Sequence, residues 1–164
     1  AEDGKALFHS AHGNLAGTGT VISSTSLDVA KLAMRKQTGL EGAKLDLRPK
    51  FLLAPAAMET TADILLRSAT LPTADMPSGV YNPWNGKLIP ITDVRLDDAD
   101  AKAWYLVGDP SQIDTIEVAF LDGNEQPYVE EIEQPLTDAI AWKVRHVFGA
   151  GVMDYRGFYK NPGA

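Results

Sequence analysis

The apolar residues of this chain come in short runs that stop at proline or glycine, and this punctuation limits the fold more than any other feature. Phe51-Leu52-Leu53-Ala54 stops at Pro55, Leu88-Ile89-Pro90-Ile91 carries a proline within it, and Trp104-Tyr105-Leu106-Val107 stops at Gly108-Asp109-Pro110. Runs of this length suit buried strands and fall far short of the ~20 apolar residues that span a bilayer. Pro90 cannot donate to a strand ladder, which puts its strand at a sheet edge or a bulge. Helical spacing appears between the runs. Leu27, Ala30 and Met34, with Val29 and Ala33, predict a helix capped by Thr25 or Ser26, turning Lys31, Arg35 and Lys36 outward and stopping at Gly39. Met58, Ala62, Leu65, Leu66 and Ala69 predict a second helix, with Glu59 and Asp63 well placed near its N-terminal end.

After Pro110 the texture changes to strands separated by turn signals: Thr115 to Leu121, Asp122-Gly123-Asn124, Tyr128 to Glu133, then Ile140 to Phe148. This reads as an antiparallel meander. The alternation of Trp142, Val144, His146 and Phe148 with Lys143, Arg145 and Val147 predicts a sheet with one face packed on a core. The chain thus divides into an extended segment at 1–24, an α/β lobe at 25–108, antiparallel strands at 109–148, and a closing strand and tail at 149–164.

The connection from Thr70 to Gly86, with Pro72, Pro77, Gly79 and Pro83, is long for a compact domain and marks a functional loop. Within it Tyr81, Asn82, Pro83, Trp84 and Asn85 form a candidate interface, because loop aromatics are costly to leave in water. The competing reading folds Trp84 back onto its own domain.

The formal net charge of −7 over 164 residues argues against a surface for nucleic-acid phosphates or anionic lipid, so neither specific nucleic-acid binding nor membrane association is expected. With 45% hydrophobic and 23% charged residues the chain is in the globular range. Cysteine is absent, which removes disulfides and thiolate metal sites and fits cytosolic synthesis. Ala1-Glu2-Asp3-Gly4 lacks a signal-peptide layout, and a start at Ala1 without methionine reads as a processed product or a piece of a longer protein.

Chemistry is sparse. His9 and His12 invite a metal site, yet Ser10, Gly13 and Asn14 do not make the helix that would align their rings, and no HExxH motif occurs. Gly17-Thr18-Gly19-Thr20 lacks the Lys-Ser/Thr ending of a phosphate loop, no serine sits in a GxSxG elbow, and Glu130-Glu131-Glu133 alternate across both faces of a strand. The expectation is a protein without cofactor or metal, and not an enzyme. The rivals are a metal-dependent hydrolase using His9 and His12 and a ligand-binding module using the aromatic loop.

In their order along the chain, several motifs resemble the Mu-like phage major head subunit family. They are Leu7-Phe8-His9 with His12-Gly13-Asn14, Met34-Arg35-Lys36-Gln37, Arg48-Pro49-Lys50-Phe51-Leu52-Leu53-Ala54-Pro55, Asn82-Pro83-Trp84, Gly108-Asp109-Pro110, and Gly149-Ala150-Gly151-Val152-Met153-Asp154-Tyr155-Arg156-Gly157. The chain resembles the C-terminal part of such a major capsid protein, as found in prohead protease/major capsid protein fusions. The resemblance implies an α+β fold of the Hong Kong ninety-seven type found in phage capsids, with 25–108 as the A domain and 109–148 as part of the P domain. It further implies self-assembly into hexamers and pentamers of an icosahedral shell with other capsid subunits, synthesis in the bacterial host cytoplasm, and residence in the virion. The arm, E-loop and spine helix of such folds have no counterpart here, so this piece alone is expected to be monomeric or only weakly oligomeric. The Lys-to-Asn crosslink of some members is not assigned to Lys160-Asn161.

Overall fold

The computed structural model describes residues 3–39, 41–71, 80–134 and 139–164. Its helices are α1 (Ser24–Arg35), α2 (Glu59–Arg67) and α3 (Arg95–Asp100). Its strands are β1 (Pro49–Pro55), β2 (Ile89–Asp93), β3 (Trp104–Gly108), β4 (Ile116–Phe120), β5 (Tyr128–Gln134), β6 (Ala139–Arg145), β7 (Phe148–Val152) and β8 (Phe158–Asn161). The chain separates into one unit of Ala1–Thr115 with Met153–Ala164 and a second of Ile116–Val152.

The first unit is built on a four-stranded sheet ordered β2-β1-β3-β8. Its centre is the Phe51-Leu52-Leu53-Ala54 run, where β1 pairs parallel with β2 (Leu52 opposite Pro90) and antiparallel with β3 (Leu52 opposite Leu106). Pro90 lies on the edge strand, where a missing donor costs least. Leu27, Ala30 and Met34 of α1 and Ala62, Leu65 and Leu66 of α2 close the core with Leu52, Ala54, Trp104 and Leu106 of the sheet.

Local chemistry sets the helix ends. The cap of α1 is Ser23, in extended conformation, whose hydroxyl accepts from Ser26 N (3.2 Å) while Ser26 Oγ accepts from Ser23 N (2.9 Å). The expected caps, Thr25 and Ser26, therefore lie inside the helix, because a serine at the third helical position completes the capping box from within. The helix ends at Arg35, and Gly39 instead turns the chain by donating to Ala43 O (2.9 Å). Met58 precedes α2 in a 3-10 turn, and Ser68, in extended backbone, ends the helix before Ala69.

The leading segment is held along β8. Leu15 bridges Lys160 in parallel, Ala16 N donates to Lys160 O (2.9 Å), and Lys160 N donates to Asn14 O (2.8 Å). Asn161, nearly fully buried, accepts from Thr20 N (2.9 Å) and donates to Thr20 Oγ1 (2.9 Å). Within Gly17-Thr18-Gly19-Thr20 it is Gly19 that serves packing: a Cβ there would lie 1.7 Å from Gly163 O, whereas one on Gly17 would meet nothing within 4 Å.

In the second unit the expected meander is replaced by nested pairing. β4 pairs with β7 and β5 with β6, all antiparallel, making one interrupted two-stranded ribbon. The Asp122-Gly123-Asn124 signal does not reverse the chain. Asp122 and Gly123 take left-handed φ (55° and 70°) in a 3-10 turn at Leu121–Gly123, which offsets β4 from β5. The expected core face is also absent within this unit: Trp142, Val144 and Phe148 are 66, 65 and 61% exposed, because a ribbon of two strands has no second layer. Among the described residues no helix is long and apolar enough to cross a membrane.

Candidate subunit interface

Asn82 organises the chain after α2. It is fully buried; its amide nitrogen donates to the carbonyls of Leu65 and Ser68 (3.0 Å to the latter), and its Oδ1 accepts from Trp84 N (3.0 Å). Gly86, at φ 67°, donates to Leu66 O (2.9 Å), and Thr70 bridges Tyr81. Carbonyls freed at the end of α2 thus find donors in the returning chain, as a helix C-terminus requires. The central part of the Thr70 to Gly86 loop, 72–79 with Pro72, Pro77 and Gly79, lies outside the described residues.

This clamp sorts the five sequence candidates. Trp84 is 3% exposed and belongs to the core, as the competing reading had it, and Asn82 is buried with it. Tyr81 is 69% exposed, Pro83 is exposed and Asn85 is half-buried. A core aromatic and a surface aromatic therefore stand three residues apart in one loop, which composition could not separate.

Beside Trp84 lies a groove of about 450 Å³ lined by Lys31, Arg35, Arg48 and Lys87, with Asp28, Pro49 and Pro83. Lys31 Nζ sits 5.3 Å from the Trp84 ring centroid. Arg35 hydrogen-bonds Asp46, and that bond holds the Asp46 carboxyl below the usual carboxylate range. Arg48 stands 3.8 Å from the same carboxylate. Lys31 and Lys87 have no carboxylate partner among the described residues, and the Trp84 indole N–H is buried with no acceptor. Sequence reading placed Lys31 on an outward helix face but gave no sign that Arg48 and Lys87 join it, since that needs the β1 and loop geometry.

The β5–β6 ribbon has two unlike faces, because directly paired residues share a face and successive ones alternate. One face carries the pairs Tyr128–Arg145, Glu130–Lys143 and Ile132–Ala141. Its charges are answered locally, with Lys143 Nζ 3.1 Å from Glu130 and the Arg145 guanidinium 5.5 Å from the Tyr128 ring centroid. The other carries Val129–Val144, Glu131–Trp142 and Glu133–Ile140. There the four apolar side chains are all more than half exposed, and Glu130–Lys143 on the opposite face is the ribbon's ion pair among the described residues. The Glu130-Glu131-Glu133 cluster is thereby split, as alternation predicted.

The histidines are committed to structure. His12 is stacked on Tyr155 (centroids 3.9 Å apart), with Nδ1 3.2 Å from Leu7 O and Nε2 2.9 Å from Asp3 Oδ2. The hydrogen bond from His12, with the Lys5 backbone amide, holds the Asp3 carboxyl well below its ordinary range. His9 Nδ1 accepts from Ala11 N (3.1 Å). Among the described residues no group of three or more His, Asp or Glu is placed to hold a metal. His146 stacks against Phe120 (5.7 Å) within the ribbon unit.

No curated protein matches the chain. A family profile described as phage capsid protein matches residues 1–161, nearly the whole chain. The mixed helix and sheet fold is consistent with such a protein, and the chain belongs to the phage capsid protein family, a structural family of the virion.

Proposed function

We propose that this chain is the shell-forming part of a Mu-like major head subunit with the Hong Kong ninety-seven type fold, the first unit corresponding to the A domain and the ribbon to part of the P domain. Its work is mechanical: copies bury complementary surfaces around symmetry axes in hexamers and pentamers of an icosahedral shell. The observation that carries this reading is the ribbon face of Val129, Ile140, Trp142 and Val144, apolar and exposed in a pair of strands that is marginal by itself. A contiguous apolar face of this kind marks a site for another protein, and in a capsid family the abundant partner is a further copy or another capsid subunit. The exposed Tyr81 and Pro83 supply a second contact on the first unit, and synthesis in the bacterial host cytoplasm fits the lack of cysteine.

The test is electron microscopy of particles from cells expressing the intact coding sequence that carries this chain. Closed shells with five- and six-fold capsomers are expected. Soluble protein that remains monomeric under all assembly conditions would refute the reading.

A further inference from the structure

The ribbon face and the Trp84 groove are complementary in charge and in kind. The ribbon unit's only lysine or arginine residues are Lys143 and Arg145, set against Glu117, Asp122, Glu125, Glu130, Glu131, Glu133 and Asp138. Both of those basic residues are engaged on the face opposite Glu131 and Glu133. What remains is an apolar surface with two unanswered carboxylates. The groove is the converse: of its four basic residues around Trp84 and Pro83, Arg35 and Arg48 share the Asp46 carboxylate, and Lys31 and Lys87 remain with Asp28 in the lining. It includes two lysines without a carboxylate partner among the described residues.

We infer that the Glu131/Glu133 face of the β5–β6 ribbon of one copy docks in the Lys31/Lys87 groove of a second copy, with Trp142 and Ile140 packed against Pro83 and Pro49 and a glutamate answering the lysines. This rests on the capsid reading only in that copies meet, and it names the surfaces by which they do so. Charge pairs closed off from water at an interface couple strongly enough for reversal to change affinity by about tenfold or more.

Charge swapping tests it on the whole chain. Three variants are compared by sedimentation over a wide concentration range: Lys31→Glu/Lys87→Glu, Glu131→Lys/Glu133→Lys, and all four changes together. Each pair alone is expected to weaken self-association about tenfold or more. An equimolar mixture of the two variants, and the four-fold variant by itself, are expected to regain it. A Glu130→Lys/Lys143→Glu swap on the opposite face should leave association unchanged, and in a ¹⁵N-labelled sample the Trp84 indole resonance should shift with protein concentration. Wild-type association indifferent to the groove and ribbon charges would overturn the docking while leaving the capsid reading intact. A four-fold variant no better than the weaker pair would do the same, as would rescue that does not depend on concentration, since the ribbon would then be meeting its own chain. A wild-type chain monomeric throughout, from a coding sequence that forms no shells, would overturn both.

Discussion

Truncating Trp84 to alanine separates what this side chain does within its own domain from what the loop around it does at a surface. The indole is 3% exposed and shares a core with Leu27, Met34, Leu65 and Leu66. Removal of a large buried aromatic costs roughly 3–5 kcal/mol from lost burial and the cavity left behind. Two details of this site adjust that figure. The N–H has no acceptor among the described residues, so no hydrogen-bond loss is added, whereas Lys31 loses the ring face it covers at 5.3 Å, worth about 0.5–1 kcal/mol at an exposed site. The net expectation stays at about 3–5 kcal/mol, or roughly 6–20 °C in thermal midpoint for a chain of this length. Urea titration followed by circular dichroism gives the value directly, with an unchanged denaturant slope showing that the folded and unfolded states remain comparable. Tyr81→Ala, at a 69% exposed position in the same loop, should stay within about 0.5 kcal/mol of wild type. A loss below about 1 kcal/mol for Trp84→Ala would refute the assignment of this residue to the core.

Asn82→Ala should cost about 2–4 kcal/mol, since it strips donors from the Leu65 and Ser68 carbonyls and an acceptor from Trp84 N; faster amide exchange at Trp84 and Gly86 would accompany it. Asp109 is held below its ordinary range by the Ser111 backbone amide and hydroxyl, with Lys50 adding to it. A carboxyl lowered in the folded state contributes stability that is complete above its unfolded value of ~3.9 and is lost as pH falls through the folded value. Asp109→Asn should therefore lower the urea midpoint at neutral pH and shallow its decline below about pH 4, whereas an unchanged acid limb would contradict the assignment. Gly163→Ala should loosen the C-terminus, because φ is 74° and a Cβ would lie 2.0 Å from Lys102 O. Hydrogen exchange at Thr20 and Gly163 reads this out, since both amides donate to Asn161.

Much of the first unit was legible. The runs at Phe51, Leu88 and Trp104 became adjacent strands, and both helical stripes became α1 and α2, because periodicity and proline placement report burial directly. α3 escaped notice because Arg95-Leu96-Asp97-Asp98-Ala99-Asp100 has no apolar stripe, and β8 because Phe158-Tyr159-Lys160-Asn161 is too short to show a period. The second unit was legible in β4 and β5 but not in its pairing, and the one strand expected from Ile140 to Phe148 is two, β6 and β7, broken at His146-Val147. Alternation fixes which residues share a face, whereas nested and sequential hairpins share the same turn residues, and Asp122-Gly123 fits either. For the candidate interface, sequence found the loop but not the groove, whose basic residues come from α1, the residue just before β1 and the loop after Trp84.

The nesting of the ribbon bears on how the molecule folds. β3 and β8 are neighbours in the sheet, with Val107 opposite Phe158, although the whole ribbon lies between them in sequence. If that segment were slack, joining them would require closing a long loop. Zipping β5 onto β6 and then β4 onto β7 brings Thr115 and Met153 together, where Met153 N donates to Thr115 O at 3.0 Å, and leaves only short stretches of chain to be ordered. Each halving of a loop relieves about 0.6 kcal/mol of closure entropy. The last strand of the sheet is thus delivered by a hairpin that forms through neighbouring contacts, so a chain of high contact order assembles through a sequence of local steps.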